Sequence, residues 1–131
     1  EVTQQACPMW VPLIENNEHL SAGADYFVNK CVVQLLKQSP SIDTILLGCT
    51  HYPLIEEKIR QAAGEKIRVV SQGEIVAASL ADYLERHPEI DRKLSKNGQR
   101  SFYTTDSTED FDRHAEAFFG ETVESEVASL M

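Results

Sequence analysis

The sequence predicts an α/β fold: a three-layer domain on a parallel sheet, followed by a strand-helix piece of a second, similar domain. Three observations predict it. Apolar positions recur at helical spacing, then as a short continuous run, then at helical spacing again, and the resulting order helix, strand, helix, strand, helix is that of a parallel α/β sheet. A charged stretch poor in apolar groups, residues 87–100, interrupts this order. Beyond it only one strand pattern and one helix pattern remain, too little to bury a core unaided. The expected division is 1–86 for a domain, 87–100 for a linker and 101–131 for a C-terminal unit whose other strands lie outside this chain.

Residues 6–15, ACPMWVPLIE, are apolar but broken by Pro8 and Pro12, which predicts a loop or an edge segment. Asn16 to Gly23 is polar and reads as a connection. From Ala24, the positions Phe27, Val28, Cys31, Val32, Leu35 and Leu36 fall on one helical face until Pro40. Asp43 to Gly48 is a continuous apolar run between turn formers, expected as a strand buried on both faces. After Cys49-Thr50-His51-Tyr52-Pro53 comes a helix carrying Leu54, Ile55, Ile59, Ala62 and Ala63, with Pro53 at its start and Gly64 at its end. Ile67 to Val70 is a second short strand. Gly73 precedes a helix with Val76, Leu80, Tyr83 and Leu84, stopped by Pro88. Asn97-Gly98 marks a turn within the linker. Ser101 to Thr104 reads as a strand, and Asp106 or Ser107 can cap a helix bearing Phe111, Ala115, Phe118 and Phe119 as far as Gly120. The acidic tail from Glu121 is weakly patterned.

Charge and cysteine content narrow the function. Twelve Lys and Arg against 21 Asp and Glu give a net charge of −9 in 131 residues, so no nucleic-acid partner is expected. No apolar run is long enough for a membrane span and no secretory leader opens the sequence, so no membrane partner is expected either. The chain begins at Glu1, close to a motif-like stretch, as a piece of something longer would. Three cysteines, Cys7, Cys31 and Cys49, with no CxxC pair, speak for a reducing cytoplasm and against a structural zinc site.

The chemistry concentrates at Gly48-Cys49-Thr50-His51-Tyr52-Pro53. In open parallel sheets ligands bind beyond the carboxyl ends of the strands, where Cys49 is placed. A helix starting near Pro53 would aim its amides at that crevice and favour an anion, either a carboxylate or the thiolate itself. From the residues alone Cys49 reads equally as a reactive thiol or a small buried hydrophobe. A Cys-His hydrolase stays open, and a metal held by Cys49 and His51 lacks further ligands nearby.

LLGCTHYPLI (Leu46 to Ile55) resembles the second-cysteine signature of the glutamate racemases, in the aspartate/glutamate racemase superfamily. ACPMWVPLIE (Ala6 to Glu15) and FYTTDSTEDF (Phe102 to Phe111) are similar to segments of the same family, in the same order. The resemblance implies a flavodoxin-like fold, the C-terminal half of a longer enzyme, and interconversion of L- and D-glutamate for peptidoglycan without a metal or cofactor. It implies that Cys49 is one of two acid/base thiols flanking the α-carbon, that Thr50 and His51 contact substrate, that His51 also handles a proton, and that Glu15 is a carboxylate supporting the histidine. It also implies a homodimer at full length. The family's first catalytic cysteine has no counterpart by motif, and Ser71-Gln72-Gly73 stands where an aspartate often precedes the glycine. An aspartate racemase or related small-carboxylate isomerase, and a non-catalytic α/β binding module, are the alternatives. By pattern alone Cys31 is core, Cys7 is packed beside Pro8, Trp10 and Tyr52 are packing groups, and His19, His87 and His114 are solvated.

Overall fold

A computed structural model describes residues 1–129. Residues 130 and 131, the end of the expected C-terminal unit, lie outside the described residues. The chain is α/β and forms two compact units, Glu1–Ala81 and Asp82–Met131.

The first unit begins with a helix where the two prolines predicted none. α1 (Trp10–Glu15) has Pro12 as its third residue, in the first turn, where a missing N–H leaves no intrahelical bond unmade. Pro8 lies ahead of it in a turn closed by Trp10 N–H donating to Cys7 O at 3.1 Å. Trp10 and Ile14, four residues apart, supply its buried face. α2 (Ala22–Leu36) starts two residues before the expected position because the Ser21 hydroxyl accepts from Ala24 N–H and caps it. Its buried residues are Ala24, Val28, Cys31 and Val32, the stripe expected from the spacing.

β1 (Thr44–Leu46) and β2 (Arg68–Val70) pair in parallel, with Ile45 opposite Val69. The strand expected to be buried on both faces is not. Ile45 and Leu47 point into the core, whereas Leu46, on the opposite face, is 64% exposed. Parity explains this, since alternate residues of a strand face opposite ways and the core residues of α2 and α3 lie on one of them. α3 (Glu56–Ala63) follows a 3₁₀ turn over Tyr52–Ile55, and its C-cap Gly64 takes φ 80°. Val28, Val32, Ile45, Ile55, Ile59 and Val69 close one core, in which Ile59 is wholly buried. Lys58 of α3 pairs with Asp25 of α2 across its rim.

α4 (Gln72–Arg86) crosses the division between the units. Of the apolar positions expected on this helix, Val76, Leu80 and Tyr83 are all more than 40% accessible and Leu84 is half-buried, and α4 buries no residue. The expected linker contains a short helix, α5 (Pro88–Asp91), and Gly98 at φ 68° in its turn.

In the second unit, β3 (Phe102–Thr104) leads through α6 (Thr108–Phe119) to β4 (Ser125–Val127), parallel to β3. Ser107 caps α6 by accepting from Asp110 N–H, and Gly120 ends it in the left-handed region. β4 lies in the acidic tail that carried no strand signal. Its three residues are held by pairing with β3, and Val123, just ahead of it, is 3% exposed. Among the described residues no helix is long and apolar enough to cross a membrane.

Candidate functional site

The site is built where β1 ends. Leu47 N–H donates to Val70 O at 2.9 Å, so the ladder holds the backbone up to the residue before Gly48. Gln72 Nε2 adds a bond to Leu47 O at 3.2 Å, fixing the same exit from the start of α4. Gln72 carried no sequence signal, because a glutamine opening a helix has no distinctive pattern. At Gly48 a side chain would meet no atom of the protein within 4 Å, so the strand exit is open on that side.

The chain then folds into a tight turn. Tyr52 N–H donates to Cys49 O at 3.3 Å and Leu54 N–H to His51 O at 3.2 Å. With Pro53 lacking an N–H, these amides are used within the turn. The helix expected to begin near Pro53 is thus preceded by a 3₁₀ turn over Tyr52–Ile55, in which the Tyr52 and Leu54 amides are spent on the Cys49 and His51 carbonyls.

The polar side chains here form a line. Cys49 Sγ lies 3.8 Å from His51 Nδ1, and His51 Nε2 lies 3.3 Å from Glu15 Oε1. The four expected site residues, Glu15, Cys49, Thr50 and His51, therefore come from two places, the end of α1 and the turn after β1. Glu15 is brought in because α1 packs on the 3₁₀ turn, with Trp10 meeting Tyr52 edge-on at a centroid distance of 4.8 Å. The Trp10 indole N–H also donates to Phe27 O at 3.2 Å, which anchors α1 to α2. Thr50 is exposed beside this line, Cys49 and His51 are half-buried, and the Glu15 carboxylate is half exposed to solvent.

The arrangement has a definite chemistry. A carboxylate accepts only, so with Glu15 at Nε2 the neutral imidazole carries its proton there and presents the Nδ1 lone pair to the thiol. In that tautomer His51 can take the Cys49 proton, and the resulting imidazolium is stabilised by Glu15. Tyr52 sits against this group with its hydroxyl held above the ordinary range, chiefly by burial and then by the nearby Cys7, Cys49 and Cys31.

The other candidates are elsewhere. Cys31 is in the core, and Cys7 packs against it. Burial, followed by a hydrogen bond with Cys31, pushes the Cys7 thiol far above the ordinary range. His87 stacks on Tyr83 at 4.2 Å and pairs with Glu89, and His19 has a buried Nδ1, so neither is simply solvated. Among the described residues no three His, Cys, Asp or Glu side chains converge as metal ligands.

No protein-family profile matches the chain. Individual proteins do. It is 34% identical to the glutamate racemase of Thermoanaerobacter sp. (strain X514) over 125 residues, 95% of this chain and 46% of that protein. It is 37% identical to the glutamate racemase of Ruegeria sp. (strain TM1040) over 128 residues, 98% of this chain and 45% of that protein. In backbone it superposes on the crystal structure of glutamate racemase isoform RacE1 from Bacillus anthracis with a TM-score of 0.82 at 32% identity, covering 99% of this chain and 47% of that one. The glutamate racemase of Thermus thermophilus, solved with β-chloro-D-alanine, gives 0.73 at 27% identity. The chain spans about half the length of the curated relatives it matches. Similar over nearly its whole length in both sequence and backbone, it belongs to the glutamate racemase family.

Proposed function

We propose that the chain is the C-terminal half of a cytoplasmic glutamate racemase with a flavodoxin-like, three-layer fold, homodimeric at full length and supplying D-glutamate for peptidoglycan without metal or cofactor. The observation that carries this reading is the line Cys49–His51–Glu15 at the exit of β1, in a chain of this family. A small amino acid as ligand accords with the β-chloro-D-alanine bound to the Thermus thermophilus relative. The sparse cysteines, all free, accord with a reducing compartment.

In this reading Cys49 removes or delivers the α-hydrogen on one face of the amino acid, and a thiol of the other half serves the opposite face. Inversion demands two groups in opposite protonation states, because a proton taken and returned on one face restores the starting configuration. His51 draws the proton from Cys49 through Nδ1 or exchanges it with the substrate amino group, and Glu15 holds the imidazole. Thr50, exposed beside Cys49, binds the substrate. The experiment is racemisation by the longer gene product that contains this chain, followed polarimetrically from L-glutamate, D-glutamate and the aspartate enantiomers. Loss of rotation from both glutamate enantiomers supports the reading. Turnover of aspartate in preference would assign the site to a sister activity of the superfamily, and turnover of neither would leave a binding module.

A further inference from the structure

Two of the three cysteines take no part in the site just described, and they lie together. Cys7 Sγ is 3.7 Å from Gln5 O, and Cys31 Sγ, from the middle of α2, is 4.0 Å from Ala6 O, so both sulfurs rest on neighbouring carbonyls of one short stretch. Both line a cleft of about 600 Å³ between the N-terminal segment and β1, whose lining includes Trp10 and Tyr52 but not Cys49. Burial, and then the neighbouring Cys31 thiol, hold Cys7 protonated. Cys49 is turned to His51 instead.

We propose that Cys7 and Cys31 are an oxidative modification site, a dithiol that closes to a reversible intramolecular disulfide with a low-molecular-weight disulfide such as glutathione disulfide as oxidant. The more accessible Cys7 sulfur, as thiolate, attacks one sulfur of the oxidant and expels one glutathione, which takes up a proton. Cys31 then loses its proton, attacks Cys7 and expels the second glutathione. Two thiols and one glutathione disulfide become one protein disulfide and two glutathione thiols, and the two electrons pass to the glutathione. Because Cys7 is held protonated, closure is slow at neutral pH and accelerates as the pH rises. The bond joins the segment entering α1 to α2, and so holds α1, which ends in Glu15, against the helix that carries the core.

The test is to oxidise the 131-residue chain with glutathione disulfide at alkaline pH, alkylate the remaining thiols, and map peptides without reduction. The expected result is a Cys7–Cys31 linked peptide, an alkylated Cys49, no retained glutathione, and a melting midpoint raised by at least about 5 °C that dithiothreitol reverses. Cys31→Ser should strand glutathione on Cys7. Should that variant fail to fold, the wild-type peptide map decides alone, with the urea-unfolded chain, where all three pairings form, as its control. A link to Cys49, glutathione stable on either thiol of the native chain, or three free thiols under conditions that oxidise the unfolded chain would each overturn the proposal.

Discussion

His51 stands between a thiol and a carboxylate, and the order matters because each ring nitrogen has one neighbour of opposite hydrogen-bonding character. On the proposed function, His51→Asn in the longer enzyme should lower turnover in at least one direction by about 10²–10⁴-fold with an unchanged fold, and Cys49→Ser should do so in both. Glu15 acts through His51, so Glu15→Gln should cost less than either. Wild-type rates for His51→Asn with both enantiomers would make the histidine structural. Cys49, Thr50 and His51 are adjacent in sequence, so their grouping was legible from the residues. Glu15 was not, since a lone glutamate after an apolar run reads as a surface carboxylate, and its approach to His51 depends on how α1 packs. Tyr52 offers a check by pH. Its folded-state value is raised above the ordinary 10.0, so the unfolded chain loses this proton first, and the stability it contributes is present below pH 10 and withdrawn above it. An alkaline absorbance titration should show one tyrosine ionising later than the rest, and Tyr52→Phe should remove that late component.

At the scale of elements, the helices were readable where a cap and a stripe agreed. α2 has both, the Ser21 hydroxyl and the run Val28, Cys31, Val32. Ser21→Ala should cost about 1 kcal/mol by loss of the cap, and Ile59→Ala, at a wholly buried position of α3, about 2–5 kcal/mol, both read as shifts in urea midpoint at constant slope. Equal effects of the two would contradict the burial of Ile59. α1 escaped the sequence because proline is read as a breaker wherever it stands, although in a first turn it removes no bond. β4 escaped because a three-residue strand with an exposed Val127 has no periodicity to detect, and its existence comes from a partner strand far along the chain. Leu46 and the stripe of α4 show the converse, apolar patterns that the described residues do not cover.

At the scale of the molecule, the α/β class followed from the order of elements alone, and the relatives place the chain in a family whose curated members are about twice its length. The central claim is that it holds one thiol of a two-thiol racemase. One thiol exchanges a proton on one face at most, and inversion needs a donor on the other. The decisive measurement is to incubate the 131-residue chain, and separately the longer protein, with D-glutamate in deuterated water while following optical rotation and α-deuterium together. The longer protein should lose rotation and gain α-deuterium, and the chain alone should leave the rotation unchanged. Loss of rotation by the chain at a rate comparable to the longer protein would contradict the two-thiol account and would mean that a residue within these 131 supplies the second acid.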